Sequence, residues 1–128
     1  MPTTRRAVID VGTNSVKLLV ADVSGVNVQP VLEAGNQTRL GQGFYETHRL
    51  QATAIRRTVA AVVAFAETAR GLGAASVRAF ATSAAREAAN AQELCHALEQ
   101  AGGLRLEIIS GEQEAEWAFH GVRTNPQL

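Results

Sequence analysis

Apolar residues alternate with polar ones along the first third of the chain, then recur every three to four positions. Residues 6–12 and 16–23 are short apolar runs on either side of the polar segment Thr13-Asn14-Ser15, and they predict two strands joined by a turn. Ser24-Gly25 predicts a second tight turn. Val26 to about Arg39, with Val28, Val31 and Leu32 as its apolar positions, predicts a third strand. Three strands with short connections make an antiparallel meander. Residues 40–49, interrupted by Gly41 and Gly43, read as a loop.

From Gln51 to Arg70 the helical period takes over. Ile55, Val59, Val62, Val63 and Ala66 fall on one face, Arg56, Arg57, Glu67 and Thr68 lie away from it, and Gly71 and Gly73 end the run. Ser76–Ala81 reads as a strand and 83–89 as a short helix. Asn90 is placed to cap a further helix carrying Leu94 and Leu98, with Glu93 at the capping-box position, and Gly102-Gly103 closes it. Leu104–Ile109 predicts another strand. Ser110, with Gln113 three residues on, opens a last helix whose apolar face is Ala115, Ala118, Phe119 and Val122. The expected order is β-β-β-α-β-α-α-β-α, an α/β class with a mixed sheet.

Ligands of open α/β sheets gather at the carboxyl ends of strands, and three such ends here are polar. The first is Val8-Ile9-Asp10-Val11-Gly12-Thr13-Asn14-Ser15, which can offer backbone N–H groups and hydroxyls to an anion with a carboxylate beside them. The same residues are also ordinary turn formers. The second is Ala81-Thr82-Ser83-Ala84-Ala85-Arg86-Glu87-Ala88-Ala89-Asn90. Thr82 and Ser83 sit at a helix start suited to an anion or to simple capping, and Arg86 can reach a phosphate or pair with Glu87 or Glu112. The third is Ser110-Gly111-Glu112-Gln113-Glu114-Ala115-Glu116. The helix dipole accounts for acids there, but Glu114 shares a stripe with Trp117, Ala118 and Gly121 at the margin of the apolar face, where a carboxylate can serve as a base.

The 128 residues amount to one domain, 46% hydrophobic and 19% charged, in the range of folded globular proteins. Zero formal net charge gives no bulk electrostatic case for nucleic acid or an acidic membrane surface, and neither is an expected partner. Eleven arginines stand against one lysine, Lys17; arginine suits phosphate oxygens, but these are scattered, and the 23 alanines beside them match a GC-rich coding bias. Cys95 falls in an apolar helical pattern and reads as a core residue. His48, His96 and His120 lack zinc-type spacing and are read as non-catalytic, and Trp117 and Phe119 as packing residues. Arg5-Arg6 is not followed by an apolar signal core, and no apolar run approaches the ~18 residues of a membrane span. A cytoplasmic protein is expected.

The three quoted segments, in this order, resemble the exopolyphosphatase/guanosine pentaphosphate phosphatase family over residues 7–123. The first segment alone is shared with the wider actin-like superfamily; the other two are more specific. The resemblance implies a ribonuclease-H-like lobe of the actin-like ATPase superfamily and hydrolytic removal of the terminal phosphate from polyphosphate or guanosine pentaphosphate. It implies that Asp10 helps hold Mg2+ or its water and that Gly12, Thr13, Asn14 and Ser15 cradle phosphate. Thr82, Ser83 and Arg86 would bind phosphoryl oxygens, and Glu114 would orient and deprotonate the attacking water. Phosphoryl transfer asks mainly for positioning and charge neutralisation, which such a set can provide. Two positions depart from the family pattern: Glu116 stands where arginine is frequent, and Gln113 where an acid is common.

Family members continue into a second glycine-rich phosphate loop, preceded by another metal-binding acid, and neither occurs before Leu128. Residues 1–128 are therefore expected to be a single domain, the first lobe of a two-lobed phosphatase. By itself this lobe is expected to be nearly inactive and monomeric, within a parent that dimerises. Two rival readings stand beside this one: an ATP-using enzyme of the same superfamily, and a non-catalytic binder of phosphate ligands.

Overall fold

Strands β1 (Thr4–Val11), β2 (Val16–Ser24) and β3 (Asn27–Asn36) form the expected antiparallel meander. The computed structural model describes residues 3–81, 85 and 87–109. A single-turn helix α1 (Phe44–Thr47) and the long helix α2 (Ala52–Gly71) follow. Next come β4 (Ser76–Ala81), helix α3 (Ala91–Gly102) and the short β5 (Leu106–Ile108). The sheet runs β3-β2-β1-β4-β5, with β4 parallel to β1 and β5 parallel to β4. Each parallel pairing is reached through a helical crossover, which is what a parallel neighbour requires.

The period of two in β1 and β2 sorts the sheet into unlike faces. Ala7, Ile9, Val11, Val16, Leu18 and Val20 are buried, whereas Val8 and Asp10 are half-buried and Lys17 is exposed. Helix α2 packs across β1, β2 and β4 through Ile55, Val62, Ala66 and Ala69, and α3 lies along α2 and β5 with Leu94 and Leu98 fully buried. Small residues at Ala7, Ala79, Ala81, Ala61 and Ala66 let helix and sheet approach closely within one continuous core.

Several expectations change. The third strand stops at Asn36 and not at Arg39, because Arg39 adopts φ 52°, which no strand can continue, and the chain turns back toward the β1–β2 turn. The span read as a loop contains α1, entered through Gly43 at φ 74° and left through His48 at φ 57°; four residues are too few for a period to show. Val63 faces outward, only half-buried, beside Val59 and Ala97. Cys95 is half-buried against the core, and burial together with the nearby Glu99 charge pushes its thiol pKa up. Of the helix expected over 83–89, Ala85 and Glu87 are helical, Ala88 and Ala89 are not, and residues 83, 84 and 86 lie outside the described residues, as does everything from Ser110 onward, including the last helix. Among the described residues the order is thus β-β-β-α-α-β-α-β, and no helix is long and apolar enough to cross a membrane.

Candidate functional site at the carboxyl edge of the sheet

The turn after β1 is closed by the Gly12 amide, which donates to the Ser15 carbonyl at 2.9 Å. A Cβ on Gly12 would sit 2.9 Å from that same carbonyl oxygen, so only glycine lets the backbone close this tightly. The two tip carbonyls are drawn away from the mouth of the turn. Thr13 accepts from the Gly41 amide at 2.9 Å, and Asn14 accepts from the Arg39 amide at 3.0 Å. Gly41 lies against the Thr13 methyl, where a side chain would collide. With its carbonyls taken, the turn keeps the Asn14 and Ser15 amides without a backbone partner among the described residues. Successive N–H groups left in this way form a concavity of positive potential.

Asp10 occupies the last polar position of β1, flanked by Lys17 of β2 and Phe80 of β4. The residue is half-buried and its Oδ1 is buried, so one hard oxygen donor stands beside the turn. The described residues hold no cluster of three or more His, Cys, Asp or Glu able to bind a metal by themselves. A single carboxylate next to a turn that keeps two backbone amides would fit Mg2+, which takes one or two carboxylates and completes its shell with water and phosphate oxygens.

The parallel register aligns the three polar strand ends at their roots. Val11 of β1 is paired with Ala81 of β4, and Ala81 with Ile108 of β5. The Ile109 amide extends this row by donating to the Ala81 carbonyl at 3.0 Å. Val11, Ala81 and Ile109 therefore lie side by side at one edge of the sheet. Thr82, Ser83, Arg86 and Glu114 themselves lie outside the described residues.

Three braces hold this edge, and the sequence announced none of them. Arg57 of α2 reaches over to donate from Nε to the Thr38 carbonyl (3.0 Å) and from Nη2 to Gln42 Oε1 (2.7 Å), pinning the segment that backs the turn. Asn90 is the residue before α3, as the capping pattern required, but its side chain makes no cap bond. Its Oδ1 accepts from the Leu50 amide at 2.7 Å and its Nδ2 donates to the Leu50 carbonyl at 2.9 Å, with a further donation to Glu93 Oε2 at 3.1 Å. The Ala89 amide donates to the His48 carbonyl at 3.0 Å beside it. On a helix's polar face Arg57 looks solvated, and Asn before a helix looks like a cap; apart from Glu93, their partners lie 15 to 40 residues away. A cavity of about 400 Å³ opens against the turn, lined by Thr13, Asn14, Arg39, Gly41 and Gln42.

At the opposite end of β1, Arg5 pairs with Asp22 at 2.8 Å and donates to the Leu72 carbonyl at 2.8 Å. The pairing raises the guanidinium pKa and holds the Asp22 carboxyl below its ordinary value.

Residues 19–127 match a sequence model of the Ppx/GppA phosphatase family. Exopolyphosphatase 2 of Mycobacterium tuberculosis is 39% identical over 95% of this chain and 41% of its own length. Exopolyphosphatase 1 of Mycobacterium leprae is 32% identical over 93% of this chain and 35% of its own. The chain thus spans well under half the length of the curated relatives it matches. A crystal structure of the Aquifex aeolicus member of the Ppx/GppA family superposes with a TM-score of 0.89 at 35% identity, covering 94% of this chain and 40% of that one.

Proposed function

Because the chain belongs to the Ppx/GppA phosphatase family, we propose that it is the first of two lobes of a Mg2+-dependent phosphohydrolase. The protein releases the terminal phosphate of inorganic polyphosphate, or of guanosine pentaphosphate, by attack of water. The observation that carries this reading is the turn Gly12–Ser15, whose carbonyls are tied back to residues 39 and 41 while the Asn14 and Ser15 amides have no backbone partner among the described residues. The exopolyphosphatase names of the relatives support polyphosphate as the first substrate to try.

In this reading the turn amides and the Thr13 and Ser15 hydroxyls grip the terminal phosphoryl oxygens. Asp10 holds the metal or its water from the β1 end, and Mg2+ when bound neutralises charge on the phosphate. Thr82, Ser83 and Arg86 take phosphoryl oxygens further along the substrate, and Glu114 orients the attacking water and accepts its proton. Gripping and aligning a polyanion lowers the barrier by positioning more than by covalent chemistry. The second lobe, with its own phosphate loop, closes the cleft and excludes water. The isolated lobe is accordingly a nearly inactive monomer, and the parent a cytoplasmic dimer.

The test is phosphate release from polyphosphate and, separately, from guanosine pentaphosphate by the full-length protein that carries this lobe. Glu114→Gln is expected to abolish turnover while polyphosphate is still retained. Undiminished turnover would remove the catalytic assignment and favour a phosphate-ligand binder; a preference for ATP would favour an ATP-using enzyme of the superfamily.

A further inference from the structure

We infer that, in the dimeric parent, the first lobes of the two protomers meet through the outer face of α2, each helix lying antiparallel against the α2 of a second copy. This rests on the dimeric state put forward above and names a surface that makes it. Helical spacing groups Val59 and Val63 with the core residues, yet both are only half-buried. They stand in a groove of about 730 Å³ that α2 shares with Ala97 and Ala101 of α3, open among the described residues. A solvated helix face ordinarily carries polar residues. Here the outward row is Arg56, Val59, Ala60, Val63, Ala64 and Glu67, apolar between two charges of opposite sign.

The row is complementary to its own reverse in both size and charge. Arg56 and Glu67, Val59 and Ala64, and Ala60 and Val63 form three pairs, each centred on the same point between Ala61 and Val62. A twofold axis through that point, perpendicular to α2, brings each member opposite its counterpart in the other copy, as an isologous contact requires. Valine then meets alanine at every apolar position, which lets the two helices interdigitate at close range. Arginine meets glutamate at both ends, about 16 Å apart along the helix and on the same side of it. A parallel pairing would instead set like charge on like charge. Neither charge is used within the lobe: among the described residues Arg56 and Glu67 belong to no ion pair, and Arg70, one turn beyond Glu67, does not pair with it. Ten residues line the groove, against the roughly 20–30 a side of a stable interface. The contact therefore adds to the dimer of the longer parent and leaves the isolated lobe monomeric.

Sedimentation of the full-length protein that carries this lobe, over a dilution series, tests the pairing. Ala60→Glu sets a charge in the middle of the contact and is expected to weaken the dimer about tenfold or more. Arg56→Glu and Glu67→Arg each place like charges opposite one another at both ends and are expected to weaken it by a similar factor. The two together restore opposite charges and are expected to return the dissociation constant close to that of the unmodified protein. All three positions are exposed, so the lobe is expected to fold in every variant. Dimers unaltered by the single substitutions overturn this assignment while leaving the dimeric state in place, and so does a double variant no better than the singles. Unaltered dimers with a lowered thermal midpoint also overturn it, by showing that the face is covered within one chain. A full-length protein that sediments as a monomer overturns the dimeric state and this contact with it, and leaves the phosphohydrolase reading to its own test.

Discussion

The slab between α2, α3 and the sheet is held mainly by apolar contact, whereas the carboxyl edge of the sheet is held by directed polar bonds. In the slab, Ile9, Val11, Leu18, Val62, Leu94 and Leu98 are essentially fully buried. At the edge, a buried asparagine side chain holds the backbone of Leu50, and a helix-borne arginine holds the Thr38 carbonyl and the Gln42 side chain, through bonds of 2.7–3.0 Å. Apolar burial is strong and non-directional, so it stabilises the domain without fixing a loop to within a fraction of an ångström. Hydrogen bonds contribute little net stability but fix direction. The site is built where direction matters, on scaffolding supplied by the part where only burial matters.

Substitutions in the two regions should therefore separate stability from site geometry. The largest loss of stability is expected for Leu98→Ala, which opens a void in the slab and costs about 2–5 kcal/mol in urea unfolding. Ligand affinity per folded molecule should hardly change. Asn90→Ala should cost less, about 1–3 kcal/mol, because it strips partners from the buried Leu50 amide and carbonyl. That variant should also loosen the junction of residues 48–50 with residues 89–90, seen as faster amide exchange at Leu50 and Ala89. Exchange protection at those two amides equal to that of the unmodified chain would show that the asparagine is not the brace.

The smallest effect belongs to the pair at the far end of β1. Arg5 lowers the Asp22 pKa, so the pair's contribution is present above the ordinary carboxylate pKa of about 3.9 and is lost as pH falls through the lowered folded value. Asp22→Asn should reduce the thermal midpoint slightly at neutral pH and match the unmodified chain in strong acid. Because the pair is partly exposed, added salt should shrink the difference.

The legible parts were those written in local periodicity. The meander, the long helix, the strand Ser76–Ala81 and the helix after Asn90 stand where alternation and helical spacing placed them. Of the candidate site, the turn Gly12–Ser15 and Asp10 were visible because a polar cluster interrupts two apolar runs. Arg39 was read as the end of a strand, Arg57 as a solvated helix residue and Asn90 as a helix cap. Each was assigned the role its neighbours in sequence allow, and each has a different one set by partners elsewhere in the chain.

What the order of residues determined by itself was the alternation of strands and helices, the family, and a glycine-bearing turn beside a carboxylate, since all of these depend on neighbours within a few positions. Only the folded chain decided that Val11, Ala81 and Ile108 share one edge, and that segment 38–42 draws the turn's carbonyls aside. Those relations join residues up to about a hundred positions apart, and a contact between distant segments leaves no period in the sequence from which to read it.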